Sequence, residues 1–78
     1  MNDQVWVLYT NHRCEQRWRL IRPDGVVFFG ATAWHPVPQW LLKVFDLEKM
    51  QTREYAMTGI SEWRPAADAY GNPLPKPY

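Results

Sequence analysis

Cysteine is nearly absent. Cys14 stands alone in 78 residues, so no disulfide can form within the chain. Histidine is scarce as well, and His12 and His35, even with Cys14, offer no CxxC or HxxxH spacing for a metal. The four glycines, Gly25, Gly30, Gly59 and Gly71, are dispersed, which excludes a phosphate-cradling loop or a dinucleotide fingerprint. An excess of charge is also missing. The net charge of +1 is too small for bulk attraction to nucleic acid or an acidic membrane, and there is no carpet of carboxylates to imitate DNA. No apolar run approaches the ~18 residues of a membrane span. The stretch MNDQVWVLYT has an early Asp3 and no basic region before its short apolar run, unlike a secretory signal. Together with the free thiol, these features lead to the expectation of a reducing, cytoplasmic location.

What is abundant is aromatic surface. A domain of this length buries roughly 60–65% of the surface its unfolded chain exposes, so it needs help to be stable. Five tryptophans, four tyrosines and three phenylalanines supply it here. Each one that is buried removes about 150–250 Å² from water.

The pattern along the chain predicts an α+β fold. In residues 4–10, Val5, Val7 and Tyr9 alternate with Trp6 and Leu8, which predicts an inner strand with both faces partly buried. NHRCE then breaks the pattern as a turn. Residues 16–22 predict a second strand, with Trp18 and Leu20 on one face and Arg17, Arg19 and Ile21 on the other. Pro23-Asp24-Gly25 reads as a three-residue hairpin turn with a glycine bulge, returning Val26 to Gly30 as a third strand. Pro38 suits a first helical position. QWLLKVFDLEKM then predicts a helix, with Trp40, Leu41, Val44, Phe45 and Leu47 as its apolar stripe and Lys43, Asp46 and Lys49 opposite.

Residues 51–63 fit either a helix continuing toward Met57 and ending at Gly59 or one more strand from Thr52 to Trp63. Tyr55, Thr58 and Ile60 favour the strand. From Pro65 onward, four prolines and little to bury predict an extended or disordered tail. The expected architecture is therefore a small antiparallel sheet, β-β-β-α-β, packed on one face by a single helix. It forms one domain over residues 1–64, followed by a proline-rich tail over 65–78.

Reactive groups do not converge. His12 and Cys14 are two apart, and an extended backbone would point both the same way, as nucleophile and base require. Arg13 beside them would lower the thiol's pKa. The pair nevertheless falls in a turn, without a third group to orient the histidine. His35, before Pro36, reads as a residue leading into the helix. Asp46, Glu48, Glu54 and Glu62 are scattered and read as solvated surface. The expectation is a protein that is not an enzyme and holds no metal or cofactor.

Binding is the remaining class of function. Arg13, Arg17, Arg19 and Arg22 are four of the nine basic residues, within ten positions. Arg17 and Arg19 read equally as exposed strand residues paired across the sheet with acids. As partner contacts, the candidates are Arg13, Arg17, Arg19, Arg22, Trp34, Trp63 and Tyr70. Trp, Tyr and Arg are the types enriched at interface hot spots, and Trp34 and Trp63 each border a proline-containing break. The partner expected is a larger protein or complex. The alternative is single-stranded nucleic acid on an Arg/Trp sheet face, which the low net charge and three lysines disfavour. Pro73-Leu74-Pro75-Lys76-Pro77 favours polyproline II, a form preset for docking. In size, aromatic content and lack of catalytic residues, the chain is similar in kind to the small proteins bacteriophages make to disable host machinery. Anti-CRISPR proteins and inhibitors of polymerases or nucleases are examples. No residue carries that likeness, so it implies a stoichiometric protein binder and transfers no site.

Overall fold

Alternating β-branched and aromatic side chains set the whole architecture. In the computed structural model, which describes residues 4–33 and 35–77, five strands form one sheet. They are β1 (Val5–Thr10), β2 (Gln16–Gly30), β3 (Gln39–Asp46), β4 (Gln51–Ala56) and β5 (Ile60–Pro65). The order is β4-β3-β2-β1-β5, and every neighbouring pair is antiparallel. β1 lies between β2 and β5, the inner position its two apolar faces imply.

No α-helix occurs among the described residues, so the expected α+β fold with a packing helix is wrong. The segment read as that helix is β3. Its apolar positions 40, 41, 44, 45 and 47 satisfy a helical period, but Leu42 fits the strand period as well. Tertiary pairing decides between them. Leu42, Val44 and Asp46 are buried on one face, and Leu41 is buried on the other. A strand buried on both faces loses the alternation that would have identified it.

Pro23-Asp24-Gly25 is likewise a bulge rather than a hairpin turn. β2 runs through it, and three residues, Asp24 to Val26, stand opposite the single Lys43 of β3. Gly25 supplies the positive φ of 76° there. Because the insertion adds two residues, it preserves which face each later side chain takes. Val27 and Phe29 therefore share a face with their register partners Leu42 and Trp40. Residues 51–65 form two strands rather than one, separated by a 3-10 turn at Met57–Gly59.

The sheet curls around a first core. Val7 and Tyr9 from β1, Ile21 from β2, Leu42 and Val44 from β3 and Tyr55 from β4 form one cluster, with Val5, Met57 and Ile60 packed against it. The Tyr9 and Tyr55 rings stack at 4.0 Å between centroids. The Ala56 N–H donates to the Tyr9 hydroxyl at 3.2 Å. A second cluster of Trp6, Trp18 and Ala66, with Leu8 and Leu20, occupies the other face of β1 and β2. The proline-rich segment runs back beside it. The Ala66 N–H donates to the Gln4 carbonyl (3.3 Å), and the Leu74 N–H donates to the Ala66 carbonyl (2.8 Å). Lys76 Nζ stands 6.0 Å from the Trp6 ring centroid, within cation–π range.

The 3-10 turn fits against β1 only because of Gly59. A Cβ there would lie 2.7 Å from the Thr10 carbonyl oxygen and 2.8 Å from Tyr9 Cε1. Overpacking of this kind costs about 1–3 kcal/mol. Gly59→Ala is therefore expected to lower the thermal midpoint by at least about 4 °C. Calorimetry showing an unchanged midpoint would contradict this packing.

Candidate functional site

Two features of the sheet stand out, a charged pocket at one end of the first core and an apolar overhang. The pocket begins with the turn after β1. The Asn11 side-chain carbonyl accepts from the Arg13 and Glu15 N–H groups (2.9 and 3.0 Å), which lets the chain reverse at Cys14, with φ 61°. On the far side, Asp46 ends β3 and organises the next turn. Its Oδ1 accepts from the Glu48 and Lys49 N–H groups (3.0 and 3.1 Å), a typical aspartate role in tight turns. Between these turns lies a depression of about 200 Å³ bordered by Tyr9, Arg19, Asp46, Arg53, Glu54 and Tyr55, with Lys49, His12 and His35 also on its walls. His35 Nε2 donates to the Glu54 carbonyl at 3.0 Å. A carbonyl can only accept, so this contact fixes the proton on Nε2.

Two of the pocket's charges are well hidden. Asp46 is 2% exposed and Arg19 is 9% exposed. No ion pair within 4.0 Å joins Arg19 to an acid, and its side chain makes no hydrogen bond to any described residue. Tyr55 Oη donates to Asp46 Oδ2 over a long 3.5 Å. Burial pushes the Tyr55 phenol well above its ordinary value of 10.0, and the neighbouring Asp46 carboxylate adds to the rise. Burial raises Tyr9 too, offset in part by the Ala56 N–H and the Arg19 charge.

The overhang comes from unequal strand lengths. β1 last pairs with β2 at Ile21, and β4 last pairs with β3 at Leu41. Beyond those points the end of β2 and the start of β3 continue as a two-stranded ribbon, through Phe29↔Trp40 to Gly30↔Gln39. Phe29 and Trp40 meet edge to face, with centroids 5.4 Å apart and rings at 70°. They are 60% and 56% exposed, and Val27 beside them is also exposed.

The four arginines singled out from the sequence do not share one surface. Arg13 and Arg17 are exposed, and both act electrostatically on Glu15. That carboxyl is held below its ordinary value first by a hydrogen bond from Asn11 Nδ2 (3.1 Å). Arg19 lies inside the pocket. Arg22 is half-buried and stacks 5.1 Å from the Phe45 ring centroid. Trp63 is exposed on β5, opposite Val7. Tyr70 is 90% exposed, in a turn where Asp68 Oδ1 accepts from its N–H. Trp34 lies outside the described residues. Cys14 is free and exposed. Among the described residues, no three His, Cys, Asp or Glu side chains gather to hold a metal, and no helix is long and apolar enough to cross a membrane.

Sequence reasoning passed over Phe29, Trp40, Asp46, Arg53 and Tyr55. The signal that finds two of them, Trp40 and Asp46, is the strand period over 39–46, which places Trp40, Leu42, Val44 and Asp46 on one face. Asp46, read as solvated, then falls in line with core residues. No family model, curated protein or solved structure matches this chain.

The tyrosine shifts fix the sign of the alkaline response. Unfolded, both phenols ionise near their ordinary value; folded, they stay protonated to higher pH. Their contribution to stability is therefore complete below pH 10 and is lost as pH rises beyond it. Urea midpoints measured from pH 8 upward are expected to fall above pH 10, by at most about 1.4 kcal/mol per pH unit for each tyrosine. Tyr55→Phe should fall less steeply than the wild type. An equal slope would show that Tyr55 ionises normally in the fold.

Proposed function

We propose that this chain is a small protein-binding module that acts by covering part of a larger protein's surface, with the β2–β3 ribbon as its contact. The observation carrying this reading is the exposed Phe29–Trp40 pair on a ribbon that no other strand of the sheet covers. Exposed large aromatics held in a fixed geometry have little entropy left to lose on docking, and aromatics dominate interface hot spots. The ribbon's own composition supports a protein partner over nucleic acid. Residues 26–30 and 37–42 hold no charged side chain, whereas a stacking platform for bases needs cations beside its aromatics. The activity is stoichiometric and non-catalytic, exercised in the cytoplasm in the manner of a small inhibitor.

The test is binding by purified components. A partner captured at fixed stoichiometry by the wild type is reconstituted with the pure protein, and Trp40→Ala is compared. Truncating a hot-spot aromatic costs about 2 kcal/mol or more, so affinity should weaken about 30-fold. The thermal midpoint should hold, because Trp40 is mostly exposed. Undiminished affinity in Trp40→Ala overturns the ribbon as the contact. Affinity for single-stranded RNA that falls steeply with salt would instead favour a nucleic-acid partner.

A further inference from the structure

A guanidinium carries five N–H donors and stays charged at any pH the fold survives. Arg19 is nine-tenths buried, and its Nε–H, shut off from solvent, has no acceptor among the described residues. Leaving such a group unmatched is costly, and a native fold keeps one where something else completes it. Asp46 does not. Its Oδ1 is taken by two backbone N–H groups, its Oδ2 faces Tyr55 Oη, and it makes no ion pair with Arg19.

We propose that this pocket receives one carboxylate side chain, an aspartate or glutamate, of the partner protein. Arg19 is its principal contact, and Lys49 and Arg53 stand at the rim. This rests on the protein-binding reading and names the chemistry the partner presents. The fork of a guanidinium matches two carboxylate oxygens. Charge selects the same ligand. Among the Lys, Arg, Asp and Glu side chains of its walls, Arg19, Lys49 and Arg53 against Asp46 and Glu54 leave one positive charge in excess. One carboxylate balances it. A phosphate ester, at about −1.5 to −2, would overfill the pocket with negative charge beside Asp46. The size agrees as well. About 200 Å³ equals roughly seven waters' share of liquid volume, room for the tip of one acidic side chain and a few waters. The stacked Tyr9 and Tyr55 rings form an apolar wall beside that position.

The experiment titrates the full chain, at constant ionic strength, with N-acetylglutamate N-methylamide, its glutamine counterpart and inorganic phosphate. The readout is the NMR signal of the Arg19 Nε–H. The glutamate probe should shift this signal saturably, with Kd on the order of 1–10 mM. The glutamine probe should leave it unmoved, and phosphate should bind at least about tenfold more weakly. Arg53→Gln should weaken the glutamate probe about three- to tenfold. Being a rim change, it keeps the test decisive should Arg19→Met not fold. Equal response to the glutamine probe, no saturation, or undiminished binding by Arg53→Gln overturns the proposal. Tighter binding of phosphate overturns the carboxylate assignment in favour of a phosphate ester. The probe involves neither the partner nor the ribbon, so a failure here leaves the ribbon reading standing. Trp40→Ala, in turn, should titrate as wild type.

Discussion

The contact between Tyr9 and Tyr55 holds the architecture together. In the strand order, β1 and β4 are separated by two other strands. At the usual spacing between strands, a flat sheet would hold them about 14 Å apart. Their rings are 4.0 Å apart. The sheet must therefore curl until its fourth strand meets its first, and the hydrogen bond from Ala56 to the Tyr9 hydroxyl ties that closure to the backbone. The bulge after Pro23 lets β2 bend through the curve. The turn at Gly59 then carries the chain past the stack to β5, on the far side of β1.

Closure also explains the pocket. Apolar residues from every strand except β5 fill the middle of the curl, with Ile60 packed against them. Toward the end near the β3–β4 turn the lining changes to Arg19, Asp46 and Arg53. Arg19 and Asp46 are buried there, so each of these charges is felt more strongly than at the open surface. A buried charge without its counterpart is a poor source of stability.

Much of the sheet was legible in the sequence, and the reasons for the failures are specific. β1 and the first half of β2 alternate cleanly, and Trp18, Leu20 and Ile21 take the faces their positions imply. β3 misled because it is buried on both faces, so its apolar residues satisfied a helical stripe equally well. Pro23-Asp24-Gly25 misled because the residues that suit a reversing turn also suit a bulge; only the pairing partner, Lys43, separates the two. Arg19 read as an exposed strand residue or partner contact, and it is buried instead. Alternation puts it on the face of Ile21, and knowing that this face is the inside requires knowing that the sheet closes.

The pairing of the first strand with the last has a consequence for synthesis and folding. Val5 lies beside Pro65 in the finished sheet, so β1 has only half its hydrogen-bonding partners until β5 has been made. The hairpins formed by β2, β3 and β4 can assemble earlier, because their contacts are local. Joining β5 to β1 closes a loop that runs from Val5 to Pro65, the kind of long-range step that slows the folding of β proteins. Until that step is complete, one edge of β1 and the apolar side chains beside it stay open to other chains.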